Sequence, residues 1–154
     1  MLMEESNGLP MSNDLDILGA LPYGLNFKFV DKILSVDKNS LLAQYTFRQD
    51  SIFYCDHFID YPVVPGALIV ESMGQAGLVC HAIYLMKPEE NCFIPLLTFV
   101  NVEFMNVLGF GNECLITGKP VRMRNNYLES EVVLKSGDLI IARMKAGVSL
   151  INRK

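Results

Sequence analysis

A histidine, a glutamate and a glutamine stand in the order His57, Glu71, Gln75, with a Pro65-Gly66 pair between the first two. Each could do chemistry. His57 precedes a helix-like segment in irregular sequence, where an imidazole can serve as a general base near neutral pH. Glu71 falls among Leu68, Ile69, Val70 and Met73. Apolar surroundings disfavour the charged form of a carboxyl group, and a protonated carboxyl can act as a general acid. Gln75 follows Glu71 by four residues, the spacing that shares a helix face, so its amide can orient the carboxyl. Pro65 starts the helix, Gly66 leaves its N–H open to a ligand, and free N–H groups at a helix start favour developing negative charge. Together these are the parts for reversible removal of water from a 3-hydroxyacyl thioester. A base takes the C2 proton, the helix start stabilises the enolate-like oxygen, and an acid protonates the departing C3 hydroxyl. Blander readings compete. A loop histidine is often structural, and a buried glutamate often pairs with backbone, Lys or Arg.

The elements that must position these groups can be read in order. Asp14–Pro22 predicts a short helix capped by Asp14 and stopped by Pro22. Phe27–Val36 and Leu41–Arg48 read as a strand hairpin about the turn DKNS. Asp50–Pro65 is an aromatic-rich loop. Gly66–Met86 is helical, apolar on all sides, and therefore a buried helix spanning roughly 30 Å. Its small residues Ala67, Ser72, Gly74, Ala76 and Gly77 allow close approach of other elements. Cys92–Met105, Glu113–Arg124, Tyr127–Lys135 and Leu139–Leu150 then read as a four-stranded meander. The expected fold class is α+β, one antiparallel sheet wrapped on one helix. Residues 14–154 are expected to form this one domain, behind a flexible arm of residues 1–13.

Composition narrows the function classes. The chain has 154 residues, 51% apolar and only 19% charged, which suits a folded domain that buries further surface in a homo-oligomer or a ligand tunnel. The net charge of −4 and scattered basic residues argue against nucleic acid. Cys55, Cys80, Cys92 and Cys114 show no metal spacing and are expected to be reduced and mostly buried. The first residues lack the features of a signal peptide, and no window is expected to reach the ~18 apolar residues of a membrane span. A soluble cytoplasmic protein is expected.

The segment HFIDYPVVPGALIVESMGQ, His57–Gln75, resembles the active-site signature of the β-hydroxyacyl-acyl carrier protein dehydratases of type II fatty acid synthesis. The family pattern H-F-P-G-x-P-x-x-P-G-x-L-x-x-E-x-x-x-Q is met without a gap at His57, Phe58, Pro62, Pro65, Gly66, Leu68, Glu71 and Gln75. Leu21, Pro22, Phe27, Val30, Asp31 and Lys32 resemble its opening, and Phe104 and Gly111 a later turn. The likeness covers residues 15–150. It implies a hot-dog fold and a homodimer, often a trimer of dimers, in which His57 faces Glu71 of the other subunit across the acyl tunnel. It implies His57 as base, Glu71 as acid, the Gly66 N–H as carbonyl-polarising group and Gln75 as support. It implies no cofactor and no metal, the substrate arriving on the phosphopantetheine of acyl carrier protein. A glutamate at the acid position implies the non-isomerising type. The departures are Ile59-Asp60 for Pro-Gly, Tyr23-Gly24 for His-Arg, Met105 for a basic residue, and Phe110-Gly111-Asn112 for Pro-Gly-Asp. They suggest a specialised relative for polyene or other secondary acyl chains.

Other residues carry paired readings. Phe53, Tyr54, Phe58, Tyr61 and Phe99 line an acyl tunnel or are plain core. Arg122 and Arg124 share a strand face, as a solvated surface or as a docking patch for carrier protein. Cys55 beside His57 offers a thiol without an orienting third group. His81, about on the face of Glu71, reads as a packed or interface histidine with one hydrogen bond. The rival functions are a hot-dog thioesterase that uses Glu71 to activate water, and a non-catalytic acyl-binding partner subunit of a heterodimer.

Overall fold

A computed structural model describes residues 17–50, 54–89 and 91–153. The arm of residues 1–13, the capping Asp14 and Phe53 lie outside the described residues. Residues 17–20 are helical, in keeping with the Asp14–Pro22 prediction. Six strands follow: β1 (Lys32–Val36), β2 (Leu41–Thr46), β3 (Phe93–Phe104), β4 (Glu113–Arg124), β5 (Tyr127–Ser136) and β6 (Leu139–Asn152). One helix, α1 (Gly66–Met86), separates β2 from β3. All pairings are antiparallel, in the order β1-β2-β4-β5-β6-β3. The fold is α+β, a hot-dog fold with the sheet around the helix.

Alternation decides which sheet face meets α1. Leu128, Ser130, Val132 and Leu134 of β5 are buried, as are Cys114, Ile116 and Gly118 of β4 and Ala142, Met144, Ala146 and Val148 of β6, while the intervening residues face outward. Two glycines set the closest approach. A Cβ on Gly77 would lie 2.5 Å from Val132 Cγ2, and one on Gly118 would lie 2.7 Å from the Gly77 carbonyl oxygen. The helix backbone therefore rests directly on the sheet backbone.

The expected meander is corrected. β3 pairs with β6 and not with β4, because the free edge of β4 is taken by β2. LGFGN is thus part of a crossing rather than a hairpin turn. It is anchored by Val64 N–H donating to Leu108 O (2.9 Å) and Gly111 N–H to Phe47 O (2.9 Å). β3 becomes an edge strand, exposed over most of its length despite Leu96, Leu97, Val100 and Phe104. The first predicted strand is also shorter: Leu25–Phe27 is a 3-10 turn, and extended pairing starts at Lys32.

α1 is not uniform. Gln75–Cys80 winds as a π-helix between two α-helical parts. It is also long and apolar enough to cross a membrane by length and composition, with mean hydropathy 1.3, which overturns the expectation that no window would qualify. Its 67% burial within the protein marks it as the core helix of the sheet. Of the cysteines, Cys80 and Cys114 are buried, Cys92 is partly covered and Cys55 is exposed, so burial holds for fewer than expected. Burial pushes the Cys114 thiol up to about 12, which keeps it protonated and inert.

Candidate active site

Gln75 is the pivot of the site. Its Oε1 accepts from Phe29 N–H (2.8 Å), and its Nε2 donates to Phe27 O (2.9 Å) and to Glu71 Oε1 (2.9 Å). Ser72 Oγ donates to Phe29 O (2.8 Å), so the segment after the 3-10 turn is fastened to α1 by two neighbouring side chains. Phe27 N–H closes the 3-10 turn onto Gly24 O (2.9 Å), while Phe27 O, Phe29 N–H and Phe29 O are bonded by helix side chains, which accounts for the late start of the strand. Gln75 is fully buried, and the expected contact with Glu71 is present.

Glu71 is half-buried rather than enclosed. It opens into a cavity of about 170 Å³, whose wall includes Tyr23, Val70, Gly74, Leu78, Leu97 and Met144. The cavity is mostly apolar, with Glu71, Gln75 and the Tyr23 phenol as its polar groups. Burial, and then the Glu71 charge, push the Tyr23 hydroxyl up, so it remains a neutral O–H. Phe58, Tyr61 and Phe99 do not line this cavity and are exposed in the single chain. Tyr54 is core, fully buried between Phe47 and Phe110. Sequence reading missed Tyr23 as a wall residue. Its signal was present as a departure from the family pattern, but only the Gln75 clamp brings that segment to the helix.

His57 sits on the loop before α1 and does not line the Glu71 cavity. Its backbone is held by His57 N–H to Tyr54 O (3.3 Å) and Val63 N–H to His57 O (2.9 Å). Its Nδ1 lies 3.1 Å from Val63 O. A carbonyl only accepts, so Nδ1 carries the proton and Nε2 is left as the basic nitrogen. The Phe58 ring stacks on the imidazole at 4.1 Å. The Ile59-Asp60 departure keeps a tight turn, with Phe58 and Tyr61 bonded to each other through both backbone groups (2.9 and 3.2 Å). Asp60 takes φ +60°, a left-handed conformation that Asp tolerates better than most residues and that glycine takes freely.

At the start of α1, Pro65 makes no side-chain cap bond and the first turn holds no acidic residue, so its N–H groups are uncapped. The space left by Gly66 is not open, however: a Cβ there would meet the Phe104 ring at 3.0 Å. Glycine here serves packing against β3 and not ligand approach from that side. Arg122 and Arg124 are exposed near the β4–β5 turn, with Arg122 stacked 5.5 Å over the Tyr127 ring. Cys55 Sγ lies 4.0 Å from Asp56 Oδ2. His81 is fully buried and Nε2–H donates to Asp37 O at 2.8 Å, the single hydrogen bond expected, but it faces the β1–β2 turn and not the Glu71 cavity. No group of metal-ligating side chains occurs among the described residues.

A sheet closed on one helix, with a helix carboxyl opening into a mostly apolar cavity, defines a hot-dog protein. Residues 21–115 match the family model of the FabA-like domain. The chain is 33% identical over 127 residues to the 3-hydroxyacyl-acyl-carrier-protein dehydratase FabZ of Aromatoleum aromaticum, covering 80% of this chain and 88% of that one. It is 28% identical over 140 residues to FabZ of Gluconobacter oxydans, covering 90% and 83%. Among solved structures, the dehydratase heterocomplex ApeI:P from Xenorhabdus doucetiae superposes with TM-score 0.75 at 16% identity, over 86% of this chain and 89% of that one. A thioesterase from Staphylococcus aureus, SAV0944, shares the fold at TM-score 0.59 and 13% identity, over 77% and 91%. The chain belongs to the FabA-like family, and within it stands with the FabZ dehydratases, which are hydro-lyases.

Proposed function

We propose that this chain reversibly dehydrates 3-hydroxyacyl thioesters of acyl carrier protein to trans-2-enoyl thioesters, in fatty acid or related acyl and polyene biosynthesis in the cytoplasm. The observation that carries the reading is Glu71, held at one oxygen by Gln75 and open at an apolar cavity, in a chain related to FabZ. His57 Nε2 takes the C2 proton. Uncapped N–H groups at the start of α1, that of Gly66 first, stabilise the enolate-like oxygen. Glu71 protonates the leaving hydroxyl, and Gln75 keeps it aimed. The chemistry asks for no metal or cofactor beyond the phosphopantetheine arm of the substrate.

His57 and the Glu71 cavity are separate within one chain, which supports a site shared between two subunits. The apolar edge strand β3 supports a homodimer built by strand pairing, since an exposed edge of this kind seeks a partner. Such dimers can assemble further into a trimer of dimers through a separate surface. Phe58, Tyr61 and Phe99, exposed in one chain, then serve as tunnel walls toward the other subunit. Arg122 and Arg124 offer positive charge to the acidic carrier protein.

The test is incubation of the purified protein with a 3-hydroxyacyl carrier protein, following loss of water by mass. The wild type forms enoyl product, while His57→Ala and Glu71→Gln lose about 10²–10⁴-fold in rate. Equal activity in both variants sinks the assignment. Release of free carrier thiol would favour the thioesterase reading, which the shared fold supports. Turnover only when a second hot-dog subunit is added would favour a partner subunit, a reading supported by the heterocomplex neighbour.

A further inference from the structure

Gly74 lies one turn beyond Glu71 on α1, and both border the same cavity. Glycine inside a helix is less stable than alanine, so its presence asks for a reason. Backbone geometry is not the reason: Gly74 has φ −67° and ψ −46°, which any residue adopts. Close packing is not the reason either. A Cβ on Gly74 meets nothing within 4 Å, whereas on Gly77 it would strike Val132. Nor does the helix stop here, since it runs on to Met86. What the missing side chain supplies is room, and the room opens into the cavity.

That cavity, about 170 Å³ with Val70, Leu78, Leu97 and Val148 in its wall, is comparable to the ~150 Å³ apolar cavity that accepts benzene. Three residues along a helix advance about 4.5 Å. With the C3 hydroxyl at Glu71, Gly74 therefore stands beside acyl carbons a few bonds further on. We infer that Gly74 is a specificity-determining residue, whose absent side chain admits the acyl segment beyond C3 and lets the enzyme take chains longer or broader than the shortest ones. The inference rests on the dehydratase reading and adds the part of the substrate that this helix position selects.

The experiment compares wild type, Gly74→Ala and Gly74→Val on carrier protein loaded with 3-hydroxybutyryl or 3-hydroxyoctanoyl groups, with binding of both loaded carriers measured alongside turnover. The octanoyl-to-butyryl ratio of kcat/KM is expected to fall about tenfold in Gly74→Ala, the range that one added methyl group commands in an apolar pocket, and further in Gly74→Val. Gly74→Ala should also raise the melting temperature by roughly 2–4 °C, which separates lost specificity from lost folding. An unchanged ratio overturns the inference. So does disassembly of the oligomer with the ratio intact, which would assign the glycine to subunit contact. Should wild type turn over neither substrate, the dehydratase reading fails by itself. The binding ratio then decides: selective loss of the octanoyl carrier in Gly74→Val upholds the inference, and equal binding overturns it.

Discussion

The two parts of α1 treat their polar groups in opposite ways. From Gly66 to Gly74 the helix is partly open: Ala67 is exposed, and Glu71 and Gly74 border a cavity. From Gln75 to Ile83 every residue is buried, His81 included. In the closed part, glycine is used so that backbones touch, at Gly77 against Gly118 and Val132. In the open part, glycine leaves space that nothing fills, at Gly74. In the closed part, a titratable side chain is neutral and spends its one N–H on the Asp37 carbonyl. In the open part, a titratable side chain is held at one oxygen only. The same helix is thus closed frame in one part and open to a cavity in the other, with Gln75 at the join.

This contrast can be broken by substitutions that should affect one part without the other. Glu71→Gln should lower turnover by about 10²–10⁴-fold while shifting the urea midpoint little; a large stability loss would make Glu71 part of the frame. Gly118→Ala should do the reverse. Its Cβ would lie 2.7 Å from a backbone oxygen that cannot swing aside, and overpacking of this kind costs about 1–3 kcal/mol. Denaturant melts read it directly. Gln75→Leu should move both readouts. It removes the hydrogen bonds to Phe29 N–H and Phe27 O, at a cost of about 1–3 kcal/mol, and it frees Glu71, so turnover should fall as well. Loss of stability with turnover intact would remove Gln75 from the chemistry.

A smaller effect concerns His81. Burial holds its pKa below the ordinary value, its Nε2–H is bonded and its Nδ1 has no partner. The unfolded chain takes up a proton near pH ~6.5, and the folded chain resists doing so. This contribution is therefore complete above pH ~6.5 and is lost as pH falls below it, by up to ~1.4 kcal/mol per pH unit. Urea midpoints between neutral and mildly acidic pH should show a slope that His81→Gln flattens; an identical slope in that variant would assign the pH dependence elsewhere. The smallest expected effect is at the other histidine's loop. Asp60→Gly should relieve the φ +60° conformation and raise stability by less than ~1 kcal/mol, visible as a slightly higher melting temperature.

Much of this was legible in the residues. The boundaries of β4 and α1 follow period and punctuation, and Glu71 with Gln75 was readable from four-residue spacing because helix geometry is local. The position of β3 was not. LGFGN has turn composition, and composition cannot tell a hairpin from a crossing when the competing strand, β2, pairs with β4 from Thr46↔Glu113 to Leu41↔Gly118, far upstream in the chain. The 3-10 turn at Leu25–Phe27 was hidden for a similar reason, since its partners belong to a helix side chain far along the chain. The π winding at Gln75–Cys80 leaves no mark in an apolar pattern that is already apolar on every side.

The Gln75 amide also acts as a keyed connector. Its oxygen must face the Phe29 N–H and its nitrogen the Phe27 carbonyl, so it fits in one orientation only. The remaining hydrogen of that nitrogen is thereby committed to Glu71 Oε1. In the proposed dehydration, that hydrogen bond makes Oε2 the oxygen through which Glu71 meets the leaving hydroxyl. A backbone contact with Phe27 and Phe29 thus gives a symmetric functional group a sidedness before any substrate arrives.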